Sequence, residues 1–177
     1  TVKGLYSGGS LAAEAGMLIA EALNLGGLIK EEGYILKTGG YEVVDLGDDV
    51  YTQGKPHPMI DPEVRIKKIL ECAKDPQTGV ILLDCMLGYG CHPDMAGALA
   101  PAIREAQEIA KADGRELYFV ASVCGTRQDP QDYDRAVAEL KECGVLVEES
   151  NARAIRLALK LKGIDYKENT RGHVEAA

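Results

Sequence analysis

A chain of 177 residues with a formal net charge of -8 fits one domain and lacks the basic face that nucleic acid or an anionic membrane requires. Apolar residues make up 46% of it, with one Phe and no Trp, so its core is built from Ala, Val, Ile and Leu. No apolar run approaches the roughly 20 residues of a spanning helix, no signal peptide is visible, and five cysteines without a CxxC pair read as free thiols in a reducing cytoplasm.

Strands and helices alternate. Val2 to Ser7 reads as a strand, broken by Gly8-Gly9-Ser10. Ser10 is placed to cap a helix that runs to about Asn24, with Leu11, Ala15, Leu18, Ala22 and Leu23 as its inward stripe. Gly26 to Gly40 is the least patterned stretch, bracketed by Gly26-Gly27 and Gly39-Gly40, and is expected to hold a short extra turn or strand. Tyr41 to Leu46 is the second strand. A long connection from Gly47 to Asp61 holds His57 between Pro56 and Pro58, and Pro62 suits the first position of the next helix. That helix reaches Lys74 with Ile66, Ile69, Leu70 and Ala73 inward.

Val80 to Leu83 is an unbroken apolar run, as expected of a central strand buried on both faces. A second glycine turn, Gly88 to Pro93, precedes a helix towards Asp113, in which Pro101 predicts a kink or restart. Leu117 to Val123 is the fourth strand. Asp129 or Pro130 opens a helix that Gly144 ends as a left-handed cap. Val145 to Val147 is a short fifth strand, and Ser150 caps the last helix. The tail from Ile164 is polar and expected to be mobile.

This order implies a parallel sheet with right-handed crossovers: a flavodoxin-like α/β three-layer sandwich of five strands in order 2-1-3-4-5. Residues 1–163 form the domain and 164–177 the tail. A first strand that opens at residue 2 is read as a clipped chain or one half of a larger assembly.

In such a sheet ligands bind beyond the carboxyl ends of the strands. Three loops reach that edge with glycines and small polar residues: Gly8, Gly9 and Ser10 in the first, Gly88, Gly90, Cys91 and His92 in the second, Gly125, Thr126 and Arg127 in the third. Each precedes a helix, whose start offers unpaired N–H donors and about half a positive charge. Glycine also lets backbone approach a ligand closely. Tight turns alone would account for one such loop, but the doubled pattern after strands 1 and 3 favours an anion cradle. Arg127 suits either bidentate contact with a phosphate or carboxylate, or a solvated loop charge.

Several stock sites are absent from the sequence. There is no G-x-x-x-x-G-K-[ST], no G-x-G-x-x-G after a strand and no G-x-S-x-G. Val80 to Asp84 looks like the phosphoacceptor strand of receiver domains. That chemistry needs an acidic pair after strand 1 and a lysine after strand 5, and Ser7-Gly8-Gly9 and Val147-Glu148-Glu149 supply neither. Asp84 is therefore read as a strand-end residue that hydrogen-bonds neighbouring loops. Of the three histidines, His173 lies in the tail, and His92 is the stronger functional candidate than His57 because its loop lies at the strand edge. No two ligands share a helix face at metal-binding spacing, so no metal is assigned.

Five segments together carry a family resemblance. They are Gly4-Leu-Tyr-Ser-Gly-Gly-Ser-Leu-Ala-Ala-Glu-Ala15, Lys55-Pro-His-Pro-Met-Ile-Asp-Pro62, Asp75-Pro-Gln-Thr-Gly-Val-Ile-Leu-Leu-Asp84, Leu87-Gly-Tyr-Gly-Cys-His-Pro-Asp94, and Ala121 to Thr126 with Asp129-Pro-Gln131. Up to about Lys162 the chain resembles the C-terminal half of FdrA-family proteins, relatives of the succinyl-CoA synthetase subunits. The resemblance implies a flavodoxin-like CoA-ligase domain of an acyl-CoA synthetase. In that family helix starts like those after Ser7 and Gly88, one from each subunit, stabilise a phosphohistidine.

The resemblance has departures. The loop where the family's active histidine belongs reads Cys124-Gly-Thr-Arg-Gln-Asp-Pro-Gln131 and holds no histidine. The family's CoA and nucleotide sites lie mainly in other domains, so this chain alone is expected to bind neither cofactor and not to complete a ligation. The resemblance therefore implies an N-terminal FdrA-like half or other subunits as partners, an oligomer, and a small anionic substrate. It also admits a subunit of a carbamoyltransferase complex in purine (allantoin) degradation, with Glu14 and Arg127 positioning ligand, or a non-catalytic assembly module of the same fold.

Overall fold

The computed structural model describes residues 1–25 and 31–165. Along them run β1 (Val2–Tyr6), α1 (Gly9–Ala22), β2 (Tyr34–Thr38), β3 (Tyr41–Asp45), α2 (Asp49–Thr52), α3 (Glu63–Lys74), β4 (Val80–Met86), α4 (Met95–Ala112), β5 (Tyr118–Cys124), α5 (Tyr133–Glu142), β6 (Leu146–Glu148) and α6 (Asn151–Leu161). The expected Gly26-Gly27 break, His173 and the polar tail beyond residue 165 lie outside the described residues.

The sheet order is β2-β3-β1-β4-β5-β6. β3, β1, β4, β5 and β6 are parallel and reproduce the expected 2-1-3-4-5 arrangement. The count of five needs correction, because β2 adds an antiparallel edge strand to β3. Gly39 (φ 59°) and Gly40 (φ 86°) make this possible. Two consecutive left-handed residues close a two-residue hairpin, bringing Thr38 opposite Tyr41.

Two apolar layers sandwich the sheet. On one face Tyr6, Val43, Val80, Leu82 and Val120 pack against Ile19 of α1 and Ile155 and Leu159 of α6. On the other, Leu5, Val44, Ile81, Leu83 and Phe119 pack against Ile69 of α3, Leu99 and Ile103 of α4 and Leu140 of α5. The alternation along β4 follows from the period of two along a strand. Lys3 is buried on β1 and is held by Glu42 at 3.6 Å and Asp75 at 3.7 Å.

Several helix starts differ from expectation. Gly8, not Ser10, is the N-cap of α1, and Ser10 lies inside the helix. Pro62 takes the cap of α3, one position before the first helical residue. Asp132 caps α5, later than Asp129 or Pro130. α4 runs unbroken through Pro101 without a restart. That proline is exposed, so the hydrogen bond it cannot donate is lost on the outer surface of the helix, where water reaches. Gly144 at φ 85° and Ser150, which accepts from the Arg153 amide, close α5 and open α6 as expected.

Among the described residues no helix is long and apolar enough to cross a membrane. Because Ile155 is fully buried on α6, Ile155→Ala should cost about 2–5 kcal/mol of stability in urea denaturation. A loss under about 1 kcal/mol would show that α6 does not belong to the core.

Candidate functional site

The crevice of an open α/β sheet lies where neighbouring strands send their chains to opposite faces. Here that point falls between β1, which leads to α1, and β4, which leads to α4. Asp84 of β4 stands at its base, fully buried. It accepts the amides of Ser7 and Gly8, each at 2.9 Å, and the Ser7 hydroxyl at 3.1 Å. This is the strand-end role read from the sequence. A Cβ on Gly8 would come 3.3 Å from Asp84 Oδ2, so a glycine there keeps the approach close.

The residue that sequence reading missed is Arg65. Its Nη1 donates to both the carbonyl and Oδ1 of Asp84 at 2.6 Å, and its side chain is fully buried. α3 packs on the opposite layer from α1, so the pair ties both layers together at the strand end. A signal was present: Arg65, Ile69 and Ala73 recur every four residues, the spacing of one helix face, and all three are buried.

Two of the donors offered to an anion in the first loop are thus already held by the chain's own carboxylate. The amides of Gly9, Ser10 and Leu11 find no acceptor among the described residues; the first bond of the helix is Ala12 N–H to Gly8 O. Gly9 and Ser10 are exposed. Asp45 flanks them, its Oδ2 3.0 Å from where a Gly9 Cβ would sit. Burial raises the Asp45 carboxyl above its ordinary range, against the Gly47 amide it accepts at 2.9 Å and the nearby His57. His57 accepts the Met59 amide at Nδ1, which leaves its proton on Nε2.

The second and third loops are closed on themselves. The Gln131 side chain accepts the Gly88 amide and donates to the carbonyls of Gly88 and His92. Cys91 N–H turns back to Gly88 O, and His92 N–H donates to Met59 O at 2.7 Å. His92 Nδ1 accepts the Asp94 amide. Gly90 is exposed with φ 83°. In the third loop Thr126 N–H donates to Asp129, and a Cβ on Gly125 would come 2.6 Å from Leu87, which packs the two loops together. Arg127 is paired with Asp134 at 3.0 Å, 5.7 Å from the Tyr133 ring centre. Glu14 accepts from Asn151, which in turn accepts from the buried Tyr6 hydroxyl. An open groove of about 810 Å³ beside Arg127, Tyr133, Lys141 and Glu148 lies past β5, away from the crevice.

None of the thiols is activated for nucleophilic attack. Burial pushes Cys72 and Cys85 up to about 11. Cys91 and Cys124 are also raised, first by burial and then by neighbouring carboxylates, Asp129 for the one and Asp84 and Asp129 for the other.

A mostly parallel sheet covered by helices on both faces, with glycine turns after β1 and β4 at its switch point, defines an open α/β protein of the doubly wound class. The family model matches residues 5–161, and the chain belongs to this family. Over 163 residues it is 36% identical to a protein of Escherichia coli (strain K12) named "Uncharacterized protein YahF", an alignment covering 89% of this chain and 32% of YahF. The chain therefore spans about a third of the length of that curated relative.

Arg65→Met would leave the Asp84 carboxylate buried without its cation. A loss of about 3–5 kcal/mol is expected in urea denaturation. Arg65→Met with Asp84→Asn should recover part of it, because neither charge is then left unpaired. Additive losses would show that the two residues are not coupled.

Proposed function

We propose that this chain is the CoA-ligase-type domain of an FdrA-like acyl-CoA synthetase, and that it holds the phosphate of an acyl phosphate at the amino end of α1. One observation carries this reading. Asp94, Asp132 and Ser150 close the starts of α4, α5 and α6 with their own side chains, and Asp61 takes the Glu63 amide at the start of α3. α1 has no side-chain cap, and its Gly9, Ser10 and Leu11 amides face the open strand edge at the switch point. A helix start of this kind favours an anion by about 0.3–1 kcal/mol per charge when exposed.

The cradle so described is half a site. Asp84 is neutralised by Arg65, but Asp45 beside Gly9 makes no ion pair with a lysine or arginine among the described residues. A bound phosphate calls for positive charge from outside, and a second domain meeting this loop edge would bring it. An N-terminal FdrA-like half or separate subunits would fill that role and supply the CoA and nucleotide sites. In a protein of YahF's length the other two thirds leave room for them. The partner would meet helix surfaces or the loop edge, since the sheet faces are covered by the chain's own helices. The Gly88–His92 and Gly125–Arg127 loops, tied to Gln131, Asp129 and Asp134, would then serve as walls and docking surface.

A second reading has its own support. The loop from Cys124 to Gln131 has no histidine, and its Thr126 amide is already occupied by Asp129. A carbamoyl phosphate cradle in a carbamoyltransferase complex needs no phosphohistidine, so this geometry suits it as well. A non-catalytic assembly module would bind neither phosphate.

Titration of the labelled chain with phosphate, acetyl phosphate and carbamoyl phosphate should shift the Gly9, Ser10 and Leu11 amide resonances. If none of the three moves them, the cradle is wrong. Incubation with ATP or acetyl phosphate should leave no acid-labile phosphate on the chain. Phosphohistidine at His57 or His92 would overturn that expectation.

A further inference from the structure

Asp45 ends β3 at the strand edge, beside the start of α1. Its Oδ1 accepts the Gly47 amide at 2.9 Å, and its Oδ2 accepts no hydrogen bond among the described residues. A Cβ on Gly9 would come 3.0 Å from that Oδ2, so glycine at the first helical position lets the carboxylate lie this close. The other oxygen is fitted just as tightly. A Cβ on Gly47 would come 3.1 Å from Asp45 Oδ1 and 2.5 Å from His57 Nε2, so both atoms lie over the same bare Cα. Gly9 and Gly47 thus make room for one half-buried acid.

An acid in this position is at odds with a plain anion site. The Gly9, Ser10 and Leu11 amides favour negative charge, whereas an ionised carboxylate beside them repels it. The ionisable groups that face Asp45 are Asp48 from its own loop, His57 from the loop before α3 and Asp84 from β4. Asp84 is already paired with Arg65, and the first turn of α1, Gly9 to Ala12, has no ionisable side chain. The conflict disappears when one proton lies between the carboxylate and the bound anion. The two oxygens then share a charge-assisted O–H···O bond about 2.5–2.7 Å long, and repulsion gives way to attraction. That proton comes either with the ligand, on a phosphate hydroxyl, or on Asp45 itself. Burial, the largest influence on the Asp45 carboxyl, raises it and so eases the second route.

We propose that Asp45 is the specificity-determining residue at the start of α1, selecting oxyanions that bring a hydroxyl to its free Oδ2. This rests on the cradle proposed above and adds a ligand class to it. Ionised Asp45 accepts the hydroxyl of inorganic phosphate. An anion without one, such as sulfate or the phosphate of an acyl phosphate, enters only as Asp45 takes up a proton. The complex then holds a proton that the free chain has lost above the carboxyl's own value. Binding of such an anion therefore weakens as pH rises past that value, by up to about tenfold per unit.

The test titrates the whole labelled chain with inorganic phosphate and with sulfate at about pH 8, where each carries about two negative charges and phosphate alone keeps a hydroxyl. The Gly9, Ser10 and Leu11 amides report binding. Phosphate should bind about tenfold tighter than sulfate and should move the Asp45 carboxyl carbon resonance. Sulfate should gain affinity on acidification. Asp45→Asn, of the same shape and uncharged, should bind sulfate more tightly, lose the preference for phosphate and gain less on acidification; any contribution of His57 is common to both proteins. Equal affinities for the two anions in the parent chain overturn the selection and leave the cradle standing. So does a preference for phosphate that Asp45→Asn keeps in full. If neither anion moves the three amides in either protein, the cradle itself is wrong and the selection falls with it. Should the variant fail to fold, the two titrations of the parent chain still decide.

Discussion

Much of this structure hangs on one buried ion pair. Asp84 ends the apolar run of the central strand, and in isolation a carboxylate at that depth would cost several kcal/mol to desolvate. Arg65 reaches it from α3, and Ser7 and Gly8 supply three more donor contacts from the other side. The pair thus joins β1, β4, the turn into α1 and the first turns of α3. Such pairs are weak contributors to net stability compared with apolar packing, but removing one partner is strongly unfavourable. Its structural consequence is geometric. By drawing the Ser7 and Gly8 amides inward, Asp84 makes Gly8 the cap of α1 and leaves Ser10 within the helix.

The same constraint accounts for the contrast between the strand-end loops. Where an acidic residue stands immediately before the helix, as Asp94 and Asp132 do, it closes its own helix start. The turn after β1 carries no acid of its own; Asp84 from the adjacent strand takes the Ser7 and Gly8 amides, and Asp45 lies beside Gly9 without accepting its amide. An exposed set of backbone donors is left at the switch point. The chain belongs to the CoA-ligase family and spans about a third of the length of YahF.

The legible parts of the fold were those written in local pattern. The run Val80 to Leu83 announces a strand buried on both faces, and helical spacing places Ile69 and Ala73 inward; both are buried. Gly144 and Ser150 act where their chemistry says they should. The parallel order followed from alternation alone. β2 was not resolved beyond "turn or strand", because Tyr34 to Thr38 is half exposed at an edge and has little alternation to read. The site was less legible. That glycine loops line the strand edge could be read, but which donors stay free depends on side chains distant in sequence: Asp84 on Ser7 across 77 positions, Gln131 on Gly88 across 43. Arg65 escaped notice because a charged residue in an amphipathic helix is ordinarily placed outward.

Four consecutive residues divide in two: Ser7 and Gly8 donate inward to Asp84, while Gly9 and Ser10 are exposed at the open edge. Native-state amide exchange, read residue by residue, measures this directly. Ser7 and Gly8 should exchange only through large-scale unfolding, at rates matching the core of β4, and Gly9 and Ser10 should exchange near the rate of exposed amides. Rapid exchange at Ser7 and Gly8, or protection spread evenly over all four, would contradict it.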